Sequence, residues 1–340
     1  MKNENIIILK KLLVEKKNIV IIPHTNPDGD AIGSCLALLN ILNEMGHKTS
    51  VLSPNEPPSF LNWTPGFNRI IYFDKDKELC LKKIKNADII FTLDFNDLSR
   101  IGEMENSVNS SKAITIMIDH HQNPKNYADI VFSDPNTGST CELLYEIIVQ
   151  LGYDKILNTI TSTCLYLGIM TDTGSFQYSN VTSRTHKIVS KLIDKKINQN
   201  EIYNKVYNNS CISRLKVLGS ALNNLTQIKE LNTAYMYLKR SDLIKFDFKK
   251  GDSEGIVNYC LSLKNIIFSV IFIEDIENKN KIKISFRSQG SFSCNEFAKK
   301  HFNGGGHINA AGGTDVGPLE KTITKFTTNI NHYKKKLTKK

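Results

Sequence analysis

The sequence predicts an α/β protein: a parallel-sheet N-terminal domain flanked by helices, a helical connector, and a smaller C-terminal α/β domain with a mixed sheet. Two observations lead to this prediction. The 340 residues exceed the length of one ordinary domain, and short apolar runs alternate with helical patterns through the first half. Because strands that alternate with helices join through right-handed crossovers, the first sheet is expected to be parallel. We place the domains at residues 1–197 and 223–340, with the connector at 198–222.

Six apolar runs predict the strands of the first sheet: residues 19–22, 49–52, 70–73, 89–93, 114–118 and 130–132. The first run leads into a helix over 31–45, where apolar residues recur at helical spacing and Gly46 marks the end. A proline-rich stretch predicts a loop between the second and third strands. Further helical patterns cover 138–151, 156–170, 181–193 and 201–225.

The second half predicts a smaller sheet. Its strands are expected at 233–238, 266–273 and 281–286, interleaved with helices near 253–263 and 294–302. No internal repeat is apparent in the sequence. Seven cysteines without a Cys-x-x-Cys pair indicate neither a disulfide framework nor a zinc site, so we interpret most of them as inert core thiols.

The formal net charge is +10 at pH 7. This balance suits a polyanionic partner, although solubility alone explains much of the lysine. The lysine-rich tail over 333–340 is predicted to be a solvated, frayed end rather than a phosphate-binding arm. No apolar run approaches the roughly 20 residues of a membrane span, and the start of the chain is too quickly charged for a signal peptide. We therefore expect a cytoplasmic protein that does not enter the membrane.

Acidic and histidine side chains follow three of the predicted strands. They are His24, Asp28 and Asp30 after the first strand, Asp94 after the fourth, and Asp119, His120 and His121 after the fifth. Ligand sites of open α/β sheets lie at the carboxyl ends of the strands. Carboxylates that meet there repel one another unless cations hold them. The pattern therefore predicts a metal site, to which Asp172 adds a carboxylate from a helix end.

The same residues can serve two metals. Asp28 and Asp30 are two positions apart, so their side chains diverge, and Asp94 could bridge the ions. A pair of divalent ions activates water and stabilises the attacking and leaving oxygens of a phosphate ester. Any one aspartate after a strand is often only a helix cap, and a lone loop histidine is usually a surface residue. The recurrence in four segments favours the metal site over this alternative.

A glycine-rich segment over 303–313 forms a second group of candidates. Gly304, Gly305 and Gly306 would let the backbone approach a ligand closely. His307 adds a hydrogen-bond donor that can contact phosphate. Arg287 and Ser288 lie just upstream, where arginine suits phosphate recognition. The alternative is an ordinary tight turn, because the spacing and lysine of a nucleoside-triphosphate loop are missing. Arg100, after Asp94, is either a substrate-binding residue or a surface residue.

Together these residues resemble the DHH phosphoesterases. His24-x-x-x-Asp28-x-Asp30 resembles the first family motif, Asp94 the second, and Asp119-His120-His121 the signature that names the family. The segment around Asp172 resembles the fourth motif. The triple glycine with His307 resembles the DHH-associated C-terminal domain.

The resemblance implies two Mn²⁺ ions per subunit and a role for each residue. His24, Asp28 and Asp94 would hold one ion. The other would be held by Asp30, Asp94, His120 and Asp172. His121 would face the scissile phosphate and Asp119 would orient the histidines. Arg287 and His307 would bring substrate phosphates or bases from the second domain.

Within the family, the pairing of these two domains resembles the branch that combines an exonuclease for short oligoribonucleotides with a phosphatase for 3′-phosphoadenosine 5′-phosphate. The implied partners are short single-stranded RNA or DNA and that nucleotide, with a homodimer as a candidate assembly. One alternative is a phosphodiesterase of linear or cyclic dinucleotides. The other is a non-catalytic nucleic-acid binder that uses the basic surface, for which an intact set of metal ligands would have no use.

Overall fold

The structure, a computed structural model, describes residues 3–249 and 251–338. The chain divides into two compact units, residues 1–209 and 210–340, and each contains one six-stranded sheet. The division lies inside 198–222, the segment that the sequence predicts as a connector.

The first unit is a parallel sheet covered by helices. Its strands are β1 (Asn18–Pro23), β2 (Lys48–Ser53), β3 (Ile70–Tyr72), β4 (Ile89–Leu93), β5 (Ile114–Asp119) and β6 (Ile130–Ser133). Its helices are α1 (Asn3–Leu12), α2 (Gly29–Glu44), α3 (Lys77–Lys85), α4 (Glu105–Asn109), α5 (Thr140–Leu151), α6 (Thr159–Asp172), α7 (Ser183–Ile193) and α8 (Gln199–Tyr207). The strand order is β3-β2-β1-β4-β5-β6, and every neighbouring pair is parallel, as predicted.

Both faces of this sheet are buried. In β1, Ile19 and Ile21 join a core shared with α1, α2, α5 and α6. Val20 and Ile22 join a second core with α3 on the opposite face. Burial on both sides explains why the strands are continuous apolar runs rather than alternating patterns. The order of strands reverses between β1 and β4, which is where such folds bind ligands.

The helices of the first unit depart from the prediction in number and in one boundary. Helices α1, α3 and α4 were not predicted, although α1 buries Ile6 and Leu9 at helical spacing. The helix predicted over 156–170 begins at Thr159, because the Asn158 side chain accepts a hydrogen bond from Thr161 N and caps it there.

The second unit has the predicted mixed sheet. Its strands are β7 (Thr226–Ile228), β8 (Thr233–Leu238), β9 (Phe268–Glu274), β10 (Lys281–Ser288), β11 (Gly305–Gly306) and β12 (Ala310–Val316). Its helices are α9 (Ile212–Asn223), α10 (Arg240–Lys245), α11 (Cys294–His301), α12 (Leu319–Ile330) and α13 (Lys334–Leu337). The order is β11-β12-β10-β9-β8-β7, in which only β8 and β9 pair in parallel among the described strands.

Three predictions for the second half were wrong in detail. The single helix over 201–225 is two helices, because α8 ends at an Asn-Asn-Ser run and the Cys211 sulfur caps α9 by accepting from Arg214 N. The helix near 253–263 is a 3-10 helix, Ile256–Ser262. Strands β7, β11 and β12 were not predicted, since β7 is short and the Ala-Ala-Gly-Gly start of β12 has low strand propensity.

The lysine-rich tail is not frayed over its described part. Leu337 is fully buried, and Asn232 Nδ2 donates a hydrogen bond to the Leu337 carbonyl. Residues 339 and 340 lie outside the described residues. Burial of one apolar residue therefore holds the preceding lysines in a helical turn.

Six of the seven cysteines are buried, and only Cys211 is exposed. Burial raises the pKa of the Cys164 thiol to about 12, which keeps it protonated and unreactive. Over residues 3–249 and 251–338, no helix combines the length and apolar character that crossing a bilayer requires.

We expect Gly33→Ala to destabilise the first unit by about 1–3 kcal/mol. Helices α2 and α6 pack so closely that a Cβ at Gly33 would overlap the Cys164 carbonyl oxygen. Urea unfolding measures the change. Gly219→Ala in α9 is the matched control, because open space surrounds that position and alanine raises helix propensity. Equal losses in both variants would contradict the packing argument.

Candidate metal centre

The carboxyl ends of three neighbouring strands bring the predicted ligands together. Strands β1, β4 and β5 end beside one another, and the loops that follow them carry most of the set. Asp172 is the last residue of α6. The structure thereby gathers the six candidate ligands: His24, Asp28, Asp30, Asp94, His120 and Asp172.

Asp94 lies between two groups of donor atoms. Its Oδ2 is 3.6 Å from His24 Nε2, and its Oδ1 is 3.6 Å from His120 Nε2. His24, Asp28 and Asp94 form one group whose ligand atoms lie within 4.8 Å of one another. Asp30, His120 and Asp172 form another, in which His120 Nε2 and Asp172 Oδ2 are 3.3 Å apart. The bridging position expected for Asp94 is thus compatible with the geometry.

Asp28 has a structural role in addition to its place in the first group. Its Oδ1 caps α2 by accepting from the backbone N–H groups of Asp30 and Ala31, at 3.0 and 3.1 Å. Its Oδ2 lies 4.0 Å from His24 Nε2. The helix-cap alternative therefore applies to Asp28, but it occupies only one of the two carboxylate oxygens.

The N-terminus of α5 binds two of the buried carboxylates of the site. The backbone N–H groups of Thr140 and Cys141 donate to Asp30 at 2.6 and 2.9 Å. The Thr140 hydroxyl donates to Asp94 Oδ1 at 2.8 Å. A helix N-terminus favours negative charge, so these contacts stabilise both ionised carboxylates. Sequence reasoning missed Thr140. The Ser139-x-x-Glu142 spacing, which is typical of a helix start, was the available signal.

Asp94 adopts a backbone conformation that aspartate tolerates better than most residues. Its φ of +68° is left-handed, which costs of order 1 kcal/mol or more. Its N–H nevertheless continues the sheet by donating to the Ile118 carbonyl at 3.0 Å. The chain therefore turns sharply at the strand end, where the carboxylate meets the histidines.

The pKa values of the candidate ligands are shifted because several charged groups lie close together in a buried site. Burial, with the nearby Asp94 and Asp28 carboxylates, raises the pKa of Asp30 to about 7. Burial, together with Asp30, also raises the pKa of Asp172 well above its usual value. Burial alone would lower the pKa of His24 and His120, but the surrounding carboxylates raise both to about 9. Burial alone would raise the pKa of Asp94, but its interactions with His24, His121 and His120 together outweigh burial and lower that pKa.

These residues fit divalent cations. Asp30 and Asp94 are 1% and 2% exposed. Within the described part of the chain, the ion-pair partners of Asp94 are histidines, and the Asp30 carboxylate accepts from the backbone N–H groups of Thr140 and Cys141. The positive charge that burial demands must then come from protons or from metal ions. Carboxylate oxygens and imidazole nitrogens are ligands of borderline-hard divalent ions.

His121 is held by Asp119 rather than by the metal ligands alone. Its Nδ1 lies 2.7 Å from Asp119 Oδ1, and Asp119 is fully buried. This contact orients the ring and directs Nε2 away from Asp119. The resemblance implies that Asp119 orients both histidines. In the structure its hydrogen bond goes to His121, whereas His120 Nδ1 lies 3.4 Å from the Thr137 carbonyl.

Arg100 lies in the 3-10 helix Leu98–Met104 that follows β4. Its carbonyl accepts a hydrogen bond from Thr25 N at 2.7 Å, next to His24. Its side chain is exposed. The backbone of Arg100 thus helps to position the first ligand loop, and its guanidinium extends into solvent.

The glycine-rich segment in the second unit is a tight β-hairpin. Gly305 and Gly306 pair with β12, and His307 N donates to the Ala310 carbonyl at 2.7 Å. Gly304 N donates to Ala298 O, so two of the backbone N–H groups are already bonded. Gly306 has a φ of +146°, and a Cβ there would overlap the Ala310 carbonyl. The tight-turn alternative therefore describes the backbone of this segment.

Arg287 and Ser288 lie on β10, beside the hairpin. Arg287 pairs in register with Ala310, one hairpin turn from His307. Ser288 is buried, and its hydroxyl donates to the Phe292 carbonyl at 2.6 Å. Asn309, which sequence reasoning missed, donates from Nδ2 to Ser288 Oγ at 2.9 Å. Ser288 and Asn309 thus hold the hairpin tip in place.

Two family models match this chain. The DHH family N-terminal domain matches residues 18–169, and the DHHA1 domain matches residues 217–336. The chain belongs to the DHH family of phosphoesterases. Each model covers one of the two units, and the first includes every candidate metal ligand except Asp172.

Three proteins are similar to this chain over most of their length. An exopolyphosphatase-related protein from Bacteroides fragilis is 42% identical, with 99% of this chain and 98% of that chain covered and a TM-score of 0.96. The bifunctional oligoribonuclease and PAP phosphatase NrnA of Bacillus subtilis is 28% identical, covering 86% of this chain and 88% of the relative. NrnA of Thermus thermophilus is 26% identical, covering 87% and 83%.

A crystal structure of RecJ from Thermus thermophilus in complex with Mn²⁺ has the same fold. It is 14% identical, covers 98% of this chain and 54% of that chain, and gives a TM-score of 0.53. The DHH family is metal-dependent, and the candidate ligands of this chain are histidines and aspartates.

Treated with a chelator, the protein is expected to lose stability as the pH rises from 6.5 to 9. The raised pKa values of His24 and His120, about 9, mean that the folded protein holds more protons than the unfolded chain in this window. The stability that these two histidines contribute is therefore complete below pH 6.5 and is lost as their protons leave. Urea midpoints at pH 6.5 and 9 measure the effect.

Added Mn²⁺ should raise the midpoint more at pH 9 than at pH 6.5, because bound ions replace protons. Equal midpoints at the two pH values in chelator, or no response to Mn²⁺, would contradict this account of the cluster.

We expect Thr140→Val to weaken Mn²⁺ binding by about 10–100-fold, the usual effect of removing a partner of a metal ligand. Valine keeps the shape of threonine but removes the hydrogen bond to Asp94. Calorimetric titration of Mn²⁺ measures the affinity. Thr140→Ser keeps the hydroxyl and should bind nearly as tightly as the unaltered protein. Similar affinities for the valine and serine variants would contradict the role of the hydroxyl.

Proposed function

We propose that this chain is a two-metal phosphoesterase of the NrnA type. It would hydrolyse short oligonucleotides to mononucleotides and convert 3′-phosphoadenosine 5′-phosphate to AMP. The observation that carries the proposal is the position of Asp94 between two groups of ligand atoms. Two relatives named as bifunctional oligoribonuclease and PAP phosphatase, similar over more than four-fifths of this chain, support the choice of substrates.

The proposed ligand sets follow the two groups of donors. His24, Asp28 and Asp94 would hold one ion, and Asp30, Asp94, His120 and Asp172 the other, with Mn²⁺ as the proposed metal. When bound, such a pair supplies Lewis acidity that activates water and offsets charge on the phosphate oxygens. Thr140 and Cys141 keep Asp30 and Asp94 in place before any ion arrives.

His121 is proposed as the proton donor of the reaction. Water would attack phosphorus in line with the P–O bond that breaks and release one proton to solvent. The leaving oxygen would take a proton from His121 Nε2, which solvent would then reprotonate. The buried Asp119 carboxylate, 2.7 Å from Nδ1, stabilises the protonated ring and fixes its direction. This division of labour assigns proton transfer to His121 and charge compensation to the metal ligands.

Substrate binding is proposed for Arg100, Arg287, Ser288, the glycines 304–306 and His307. Arg287 and His307, which flank the hairpin, suit phosphate through their N–H donors. The hydroxyl of Ser288 already binds Phe292 O, so its contribution would be to hold the hairpin. Arg100 would meet a phosphate from the loop that also positions Thr25.

Incubation with Mn²⁺ and labelled di- to pentanucleotides tests the proposal. Mononucleotides should accumulate, and AMP should form from 3′-phosphoadenosine 5′-phosphate. We expect Asp94→Asn to reduce both rates more than about 100-fold, beyond the effect of an outer-sphere partner. His121→Gln should lower kcat by about 10²–10⁴-fold while the Mn²⁺ affinity stays within a few-fold. No release of mononucleotide by the unaltered protein would refute the proposal.

The set of substrates tested also contains the linear dinucleotide pApA, cyclic di-AMP and tripolyphosphate. Preference for the first two would favour a dinucleotide phosphodiesterase. Tripolyphosphate is included because the relative at 42% identity is described as exopolyphosphatase-related. A preference for it would assign the same site to phosphoanhydrides.

A further inference from the structure

The net positive charge of this protein lies entirely in its second unit. Residues 210–340 contain 22 lysine and arginine residues against 11 aspartate and glutamate residues. Residues 1–209 contain 22 and 23, respectively. A formal charge of +11 on the smaller unit gives a strongly positive field that attracts polyanions.

Part of this charge is held in a fixed arrangement near the end of the chain. Tyr333 packs edge-on against Phe297, with ring centroids 5.2 Å apart, and Leu337 is fully buried. The lysines at 334–336 lie between these two anchors, in α13. Because their backbone is fixed, the entropy lost on binding a ligand is smaller than for a disordered basic tail.

A cleft of about 360 Å³ opens beside this turn. We call it the lysine cleft, and it is lined by Lys300, His301, His332, Tyr333, Lys335 and Lys336. Glu296 also lines it and lies 3.9 Å from Lys336. Three lysines face one carboxylate, so the lining is positive.

The aromatic side of the cleft is held by a hydrogen bond. His301 Nε2 lies 3.0 Å from the Tyr333 hydroxyl, and both rings are half-buried. Burial, with the neighbouring Lys300, lowers the pKa of His301, which is consistent with a positive local field. His332 is exposed at the rim. Lysines next to aromatic rings are the combination that binds single-stranded nucleic acid, through phosphates and stacked bases respectively.

We propose that the lysine cleft binds a phosphate of single-stranded nucleic acid, with the imidazole of His332 against a base. The cleft would be a second contact region for the oligonucleotides of the proposed function, and its substrate class rests on that function. Each phosphate that is neutralised releases counterions, so the cleft contributes affinity that depends on salt.

Binding of a fluorescein-labelled dodecadeoxynucleotide to the full chain tests the proposal. The buffer contains chelator, so the assay does not depend on hydrolysis. In Lys300→Gln/Lys335→Gln/Lys336→Gln we expect at least a ten-fold weaker Kd at 50 mM salt. The slope of log K against log salt should fall by about two, since three contacts each contribute about 0.7 for single strands. His332→Ala should weaken binding about five-fold.

The matched control is Lys264→Gln/Lys279→Gln/Lys321→Gln, which removes the same charge from exposed positions of the same unit. Its Kd should change less than three-fold. Equal losses in both triple variants would overturn the proposal in favour of diffuse charge, and a lysine-cleft variant that binds like the unaltered protein would overturn it outright. Loss of tripolyphosphate binding with unchanged oligonucleotide binding would assign the cleft to polyphosphate instead. Failure of the proposed function appears separately, as absent hydrolysis with intact binding.

Discussion

The repulsion among buried carboxylates at one edge of the first sheet is the constraint on which the rest of the site depends. Asp30 and Asp94 converge there with little access to water, and the partly exposed Asp172 lies close to them. The protein compensates in two ways. Histidines 24 and 120 lie between the carboxylates, and the N-terminus of α5 donates hydrogen bonds to Asp30 and Asp94. Neither source supplies a permanent full charge, and the site therefore suits cations.

This constraint extends into the packing of the helices. Glycine at positions 29, 33 and 168 lets α2 approach α6 so closely that a Cβ at any of the three would overlap a neighbour. At Gly168 that Cβ would overlap the Cys141 sulfur and Asp30 Oδ1. The helices that carry or clamp the ligands are thus packed against one another without room for a methyl group. The positions of the candidate ligands therefore depend directly on the close packing of these helices.

The second unit uses its glycines differently. In the β11–β12 hairpin they allow backbone to approach backbone, and Asn309 then ties the hairpin tip to β10 through Ser288. These contacts connect the turn that carries His307 to β10, the strand that carries Arg287. The chain also separates charge between its units, with acidic ligands in one and the excess of lysine in the other. In the proposed function, the chemistry would belong to the first part of the sequence and the attraction of a polyanion to the second.

The sequence by itself determined the six parallel strands, the edge at which the candidate ligands meet and the set of candidate residues that the structure gathers there. It could do so because apolar runs buried on both faces are unmistakable, and because the loops after parallel strands meet at a common edge. Only the tertiary structure decided that Thr140 binds Asp94, that Asp119 pairs with His121, and that Asn309 holds the hairpin. In each of these contacts, the identity of the partner depends on how the helices, strands and loops pack, which the local sequence pattern does not specify. Likewise, the tail over 333–340 was predicted to be solvated because lysines dominate its sequence. The burial of Leu337 depends on a surface that the rest of the second unit forms, and this surface is not visible in the sequence.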